Sequence, residues 1–108
     1  YMPDAVKAAI DIMEADPEKL RHRNAFNVTA MSFCPEELAG YIRAHIPSFE
    51  IDYAVDPLRQ AIANSWPNNM EDYAARVEWG WSPNYGTEEM TEEMLAKIRE
   101  REHVTKDA

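Results

Sequence analysis

The three tryptophans of the chain, Trp66, Trp79 and Trp81, all fall in the stretch from Arg59 to Pro83. Tryptophan carries one of the largest apolar side chains, so this clustering indicates an anchor for a core or an interface. Gly80 and two prolines divide the stretch into a loop, a short helix and a turn. We therefore expect the rest of the chain to be organised around it.

The composition is that of a single acidic domain of 108 residues with a net charge of −9. Nucleic acids and anionic membrane surfaces are bound by clustered Lys and Arg, so the acidity argues against both as partners. No apolar run approaches the roughly 18 residues that a membrane-spanning helix needs. Cys34 is the only cysteine, which excludes an intrachain disulfide, favours an intracellular compartment and leaves a small buried side chain as the simplest interpretation.

Helical periodicity recurs along the chain, with prolines and carboxylates suited to first turns. It predicts helices over residues 3–15, 34–46, 58–64 and 70–79 and from Thr87 onward, a short turn at Pro17, and fraying over residues 103–108. One face of each main helix is expected to be buried. The predicted buried faces are Val6, Ala9, Ile10 and Met13; Leu38, Ile42 and Ile46; Met70, Tyr73, Ala74 and Val77; and Met90, Met94, Leu95 and Ile98.

Two short segments alternate apolar and polar residues, which is typical of half-buried strands. They are Phe26–Thr29 and Phe49–Tyr53, and they flank the second helix. The order predicts an α/β fold that is mostly helical, with a short parallel βαβ unit in a single domain over residues 1–108. Two strands alone do not form a stable sheet, so we expect the chain to be part of a larger protein with residues missing upstream.

The usual signatures of catalysis, metal binding and phosphate binding are absent from the sequence. The three histidines and the lone cysteine have no metal-ligand spacing, and the three glycines cannot form a phosphate-binding loop. Arg59 could hold an anionic group bidentately, or it could tie its segment to the protein's own carboxylates. Trp66, beside Ser65, could close a pocket or fill the core.

Several segments, in order, resemble the C-terminal region of a short-chain-type L-threonine 3-dehydrogenase. This type belongs to the extended short-chain dehydrogenases and the NAD-dependent epimerase/dehydratase superfamily. The Trp-Gly-Trp-Ser-Pro ending of a helix is similar across the superfamily, whereas RQAIANSWP points to the threonine enzyme. The matching segments are YMPDAVKAAIDIMEA, FNVTAMSFCPEELAGYIRAHIPSFEIDY, LRQAIANSWP and DYAARVEWGWSPNYGTEEMTEEML.

The resemblance implies a substrate-binding lobe of an enzyme that oxidises L-threonine to 2-amino-3-ketobutyrate with NAD. The Gly-rich fingerprint and the Tyr-x-x-x-Lys pair of the family have no match here, so no catalytic or NAD-binding residue is carried over. The resemblance implies that NAD is bound by a missing N-terminal Rossmann half, which is also the expected partner of this lobe. It further implies a homodimeric enzyme of the bacterial cytoplasm or the mitochondrion. Arg59 falls where related epimerases hold a substrate phosphate, which threonine lacks; Ser65 and Trp66 are candidates for the wall or lid of the pocket.

Two alternatives stay open at this point. The chain could be the same lobe of a nucleotide-sugar epimerase or dehydratase, since much of the resemblance is common to the superfamily. It could also be a free-standing acidic protein-interaction module, because it contains no catalytic residues.

Overall fold

The computed structural model describes residues 1–106, in which it shows five α-helices, a 3₁₀ turn and no β-strand. The helical predictions and the short turn at Pro17 are confirmed, although the fourth helix begins at Tyr73 rather than at residue 70. Fraying was predicted over residues 103–108, but the last helix continues to Lys106, and residues 107 and 108 lie outside the described part. The elements are α1 (Met2–Glu14), the 3₁₀ turn (Pro17–Lys19), α2 (Pro35–His45), α3 (Pro57–Asn64), α4 (Tyr73–Trp79) and α5 (Thr87–Lys106).

Local sequence explains where these helices begin. Each of α1, α2 and α3 has a proline in its first turn, where the missing N–H removes no helical hydrogen bond. Asp56 caps α3 by accepting hydrogen bonds from the N–H groups of Leu58 at 2.9 Å and Arg59 at 3.1 Å. At α2, the Glu37 carboxylate reaches back to the N–H of Cys34 at 2.8 Å. These bonds satisfy backbone donors that would otherwise have no partner.

The predicted βαβ unit is wrong. Both alternating segments lack regular secondary structure, and no strand occurs within residues 1–106. The N–H of Thr29 donates to Asp72 at 3.3 Å, and the carbonyl of Thr29 accepts from the Trp81 indole at 3.0 Å. Side chains thus satisfy backbone groups that a sheet would have paired. In the first segment alternation predicted the directions of the side chains correctly, since Phe26 and Val28 pack against the core. In the second segment Tyr53, predicted on the buried face, is exposed. Alternation supplied no neighbouring strand for either segment.

The described residues form two compact units. The first combines Tyr1–Ser32 with Tyr53–Asn84 and contains α1, the 3₁₀ turn, α3 and α4. Its core consists of Ala8, Ala75 and Trp81, with Phe26, Val28 and Trp79 packed against it. The second combines Phe33–Asp52 with the chain from Tyr85 onward, and within it α2 packs on α5.

The apolar stripe predicted to be the buried face of α1 is exposed. Val6, Ile10 and Met13 are 52%, 44% and 75% exposed, whereas Asp4 and Ala8 are buried at 3% and 6%. The predicted burial of this stripe is therefore wrong within the described chain. Periodicity identifies the apolar face of a helix but cannot say whether the chain itself contains the surface that covers it.

The short helix α4 is turned outward in the same way. Of its predicted buried face, Met70, Tyr73 and Val77 are exposed, whereas Ala75 and Glu78 are buried. Polar contacts of Glu78 and of the neighbouring Asp72 hold the inner face of this helix. The core of the first unit is consequently small and is bounded by buried carboxylates.

Candidate functional site

The Trp79-Gly80-Trp81 turn anchors the first unit. Gly80 closes α4 in the left-handed region at φ 74°, which costs glycine nothing because it has no Cβ. The N–H of Trp81 then donates to the carbonyl of Ala75 at 3.2 Å, and its side chain is only 4% exposed. The prediction that the tryptophan-rich stretch contains an anchor for the core is confirmed at this end.

Asp72 connects α4 to the extended segment before α2. The side chain accepts a hydrogen bond from Arg76 Nε at 2.8 Å and another from the N–H of Thr29 at 3.3 Å. The bond from Arg76 is the main reason why the pKa of Asp72 lies below its ordinary value, with burial opposing it and Thr29 contributing further. The carboxylate therefore stays ionised and bound in place.

Glu78 is a second buried carboxylate, and it holds the loop that follows the 3₁₀ turn. One of its oxygens accepts from the N–H groups of Arg21 at 2.7 Å and His22 at 3.0 Å, while the other lies 2.5 Å from His22 Nδ1. Burial alone raises the pKa of Glu78, but the bonds from His22 and Arg21 outweigh that effect and lower it. Because both oxygens are bound within the protein, Glu78 acts structurally here.

This contact could not be found from the sequence. His22 lies in a segment whose polar residues predict a loop, and Glu78 is placed by the pattern only as one residue of a helix. The two are 56 positions apart, and no local spacing links them. The only local signal in the sequence is that the Glu78 carboxylate lies on the same helical turn as small residues of the kind that pack in a core.

A cavity of about 400 Å³ lies beside α1 in the first unit. It is predominantly apolar, and Trp79 forms part of its wall. The indole Nε1 of Trp79 is buried and has no hydrogen-bond partner among the described residues, which leaves one polar group unsatisfied. The lining residues are Ala5, Ala8, Ala9, Ile12, Leu20, His22, Arg23, Asn24, Ala25, Phe26, Val28 and Trp79.

The predicted pocket residues lie at the two ends of α3. Trp66 is 69% exposed, so the alternative in which it fills the core is wrong within this chain. The Ser65 hydroxyl donates to the carbonyl of Ile62 at 2.6 Å. The Arg59 guanidinium is 88% exposed, and its Nε lies 3.9 Å from an oxygen of Asp56. At that exposure the ion pair contributes little to stability, so Arg59 is left accessible. The role of Arg59, Ser65 and Trp66 in a pocket stays a prediction.

Other chemistry is limited in the part of the chain that the structure describes. The expectation that Cys34 is buried is wrong, since its side chain is exposed at the start of α2. No group of three His, Cys, Asp or Glu side chains within this part is arranged to hold a metal ion. None of the helices formed by residues 1–106 combines the length and apolar character required to cross a membrane.

Comparison with known proteins gives strong matches over nearly the whole chain. The crystal structure of L-threonine dehydrogenase from Clostridium difficile superimposes with a TM-score of 0.87 at 51% identity, covering 94% of this chain and 32% of that one. A monomeric L-threonine 3-dehydrogenase from a metagenome matches with a TM-score of 0.81 at 39% identity, covering 92% of this chain and 32% of that one. The predicted resemblance to L-threonine 3-dehydrogenases is confirmed.

The curated relatives carry the broader superfamily name. An uncharacterized epimerase/dehydratase of Staphylococcus haemolyticus is 52% identical over 102 residues, which are 94% of this chain and 32% of that protein. No protein-family model matches the chain. The chain spans about a third of the length of the relatives that it matches.

Proposed function

We propose that this chain is the substrate-binding lobe, over residues 1–108, of an NAD-dependent L-threonine 3-dehydrogenase. The observation that carries the proposal is the match to the Clostridium difficile enzyme, at 51% identity and a TM-score of 0.87 over 94% of the chain. At this identity the local geometry of the lobe is expected to be shared. The enzyme oxidises L-threonine to 2-amino-3-ketobutyrate, and the chain alone is not catalytically competent.

In this proposal the work is divided between two parts of the parent protein. The N-terminal Rossmann half binds NAD, which accepts the hydride, and this lobe covers the substrate and excludes water from it. The exposed end of α3 supports such a role, because Trp66 is a large apolar side chain that nothing in the described chain buries. Arg59 is available to pair with the carboxylate of the amino-acid substrate.

Activity of the complete parent protein tests the substrate assignment. Purified enzyme with NAD should form NADH on addition of L-threonine, and it should not do so with D-threonine or L-serine at equal concentration. Absence of threonine-dependent NADH formation in folded, NAD-binding protein would reject the assignment.

A second candidate function is a nucleotide-sugar epimerase or dehydratase. The observation in its favour is the superfamily name carried by the 52%-identical staphylococcal relative. UDP-glucose and UDP-galactose, assayed beside threonine on the same preparation, separate the two functions. Conversion of a UDP-sugar without oxidation of threonine would establish this candidate instead.

A free-standing acidic interaction module is the weakest candidate. The relatives are about three times as long as the matched region, which supports a part of a larger enzyme. The parent reading frame discriminates directly. A Gly-x-Gly-x-x-Gly sequence near its start and a Tyr-x-x-x-Lys upstream of Tyr1 would remove this alternative, and their absence would favour it.

Kinetics of the parent protein test the proposed pocket residues. Trp66→Ala should reduce kcat/KM for threonine at least about tenfold while changing the melting temperature little, because the side chain is exposed in this lobe. Arg59→Gln should raise KM more than it lowers kcat if it binds the substrate carboxylate. A lowered melting temperature with unchanged kinetic constants would show that these residues are structural.

The remaining features of the proposal concern assembly and location. The parent enzyme is proposed to be an intracellular homodimer whose subunit contact lies on the absent half. One matched relative is described as monomeric, so this lobe does not need a second subunit in every member of the group. Light scattering of the parent protein gives its subunit number directly.

A further inference from the structure

The outward face of α1 is an apolar feature that the described core does not use. Met2, Val6, Ile10 and Met13 are 69%, 52%, 44% and 75% exposed. Their spacing of three and four residues places them along one continuous line on the helix. We call these four residues the α1 stripe.

The opposite face of α1 makes the internal contacts of the first unit. Ala8 belongs to the core, and buried Asp4 accepts a hydrogen bond from the N–H of Asn84 at 2.9 Å. Lys7 pairs with Asp11 and lies 5.3 Å from the centre of the Trp81 ring. The helix therefore buries small and charged residues in this chain and exposes its large apolar ones. A surface helix usually buries its large apolar residues and exposes its charged ones, so the distribution on α1 is the reverse. It is expected of a helix with apolar partners on both sides.

The cavity beside Trp79 extends this apolar surface. Ala5, Ala9 and Ile12 line it, and on the helix they lie next to the α1 stripe. Trp79 also lines it and has a buried indole N–H without a partner among the described residues. A neighbouring surface that covered the stripe could fill the cavity and supply a hydrogen-bond acceptor.

We propose that the α1 stripe and the adjoining cavity form the surface on which this lobe docks against the NAD-binding half of its own parent chain. This inference rests on the proposed function. Two observations select this occupant: the matched region is only 32% of the Clostridium difficile enzyme, and a relative with this fold is described as monomeric. An intramolecular neighbour is thus available, whereas a second subunit is not required. Exposed apolar stripes of this kind mark contact surfaces.

The test compares one double substitution in two proteins. Val6→Ser with Ile10→Ser should lower the melting temperature of the complete parent protein by about 5–10 °C, since both side chains are buried there. In the isolated 108-residue chain the same change should move it by no more than about 4 °C, because both side chains are already largely exposed there. Glu14→Ser, at an exposed α1 position off the stripe, controls for the weaker helix propensity of serine.

The other outcomes are equally decisive. Equal, small effects in both proteins would overturn the proposal. It would also be overturned if the isolated chain were a dimer that the double substitution dissociates while the melting temperature of the parent stayed unchanged, since the occupant would then be a second copy. If the double variant of the parent fails to fold, Val6→Thr adds a single hydroxyl as a milder change, and it should lower the melting temperature of the parent more than that of the isolated chain.

The threonine assay separates this inference from the proposed function. A parent protein that lacks activity with threonine but is destabilised by the double substitution retains the docking surface and loses the substrate assignment. If the parent is active with threonine and the double substitution leaves its melting temperature unchanged, the substrate assignment is retained and the docking surface is rejected.

Discussion

At the level of single residues, Glu78 joins α4 to a loop that lies 56 positions earlier in the chain. Its two oxygens accept from two backbone N–H groups and lie against the His22 ring, and together they fix the loop after the 3₁₀ turn to α4. The pKa of Glu78 is lowered by these bonds against the effect of burial. A carboxylate whose pKa is lower in the folded than in the unfolded state stabilises the fold above its ordinary pKa, and this contribution is lost as the pH falls through the folded-state value.

We therefore predict that Glu78→Gln removes a pH-dependent part of the stability. The variant should have a lower melting temperature at pH 7 and a shallower decline on acidification below pH 4.5, the ordinary pKa of the group. Thermal unfolding is followed by circular dichroism between pH 3 and pH 7 in steps of about one pH unit. It measures both the melting temperature at pH 7 and its decline on acidification. Exposed Glu14→Gln controls for the loss of one negative charge at pH 7. A Glu78→Gln profile parallel to wild type would contradict the assignment.

The tryptophans differ in burial, because one belongs to the core and another lies on the surface. Trp81 is 4% exposed and donates to the carbonyl of Thr29, so Trp81→Ala should lower the free energy of unfolding by about 3–5 kcal/mol. Trp66 is 69% exposed, and Trp66→Ala should change it by no more than about 0.5 kcal/mol in this chain. Urea unfolding of the two variants gives the comparison. Similar losses for both would show that Trp66 is packed.

At the level of elements, the helices depend on their ends. The left-handed Gly80 joins α4 to the Trp81 anchor, and an added Cβ there would meet no atom within 4 Å. A substitution at Gly80 would consequently destabilise the protein through backbone strain and not through a steric clash. An added Cβ at Gly40, within α2, would likewise meet no atom within 4 Å, but the φ of Gly40 is not positive.

This pair of glycines gives a matched prediction. Gly80→Ala should lower the free energy of unfolding by about 1–2 kcal/mol, because alanine is strained in the left-handed region. Gly40→Ala should raise it by up to about 1 kcal/mol, because alanine favours the helix. Denaturant unfolding of both variants checks the opposite signs. A stabilising Gly80→Ala would contradict a left-handed cap at the end of α4.

The third helix depends on its cap more than on packing. Every residue of α3 is exposed, so the two bonds accepted by Asp56 are a main source of its order. Asp56→Ala should cost about 1 kcal/mol locally and should speed amide exchange through α3 while leaving exchange in α1 unchanged. Hydrogen exchange measured by mass spectrometry on peptides from both helices tests this. Unchanged exchange in α3 would mean that contacts other than the cap hold the helix.

At the level of the whole molecule, a net charge of −9 is combined with exposed apolar faces on α1 and α4. Charge repulsion opposes association, and the apolar faces favour it. We predict that the isolated chain associates more strongly when salt screens the repulsion. Light scattering at about 0.05 M and 0.5 M NaCl should show a rise in mean mass, which Val6→Ser with Ile10→Ser should reduce. Association that weakens with salt would instead indicate contacts between opposite charges.

Much of the fold was predictable because its signals are local. Proline, glycine and carboxylate positions set the helix ends, and apolar spacing identified four of the five helices in the described chain, α3 being the exception. The resemblance to L-threonine 3-dehydrogenases was also contained in the order of the segments. The predicted strands failed because alternation describes an extended backbone, whereas a sheet requires a second backbone in register beside it.

The sequence by itself thus determined the helices, the Trp79-Gly80-Trp81 anchor and the family resemblance. The tertiary structure alone decided which side of α1 and α4 is internal, that Thr29 is bound by side chains, and that Glu78 holds the loop at His22. The physical reason is that helix propensity and periodicity act over a few neighbouring residues, whereas the burial of a face depends on the surface that meets it. For the α1 stripe that surface is not contributed by the described residues, so an amphipathic pattern that usually predicts a core here predicts an interface.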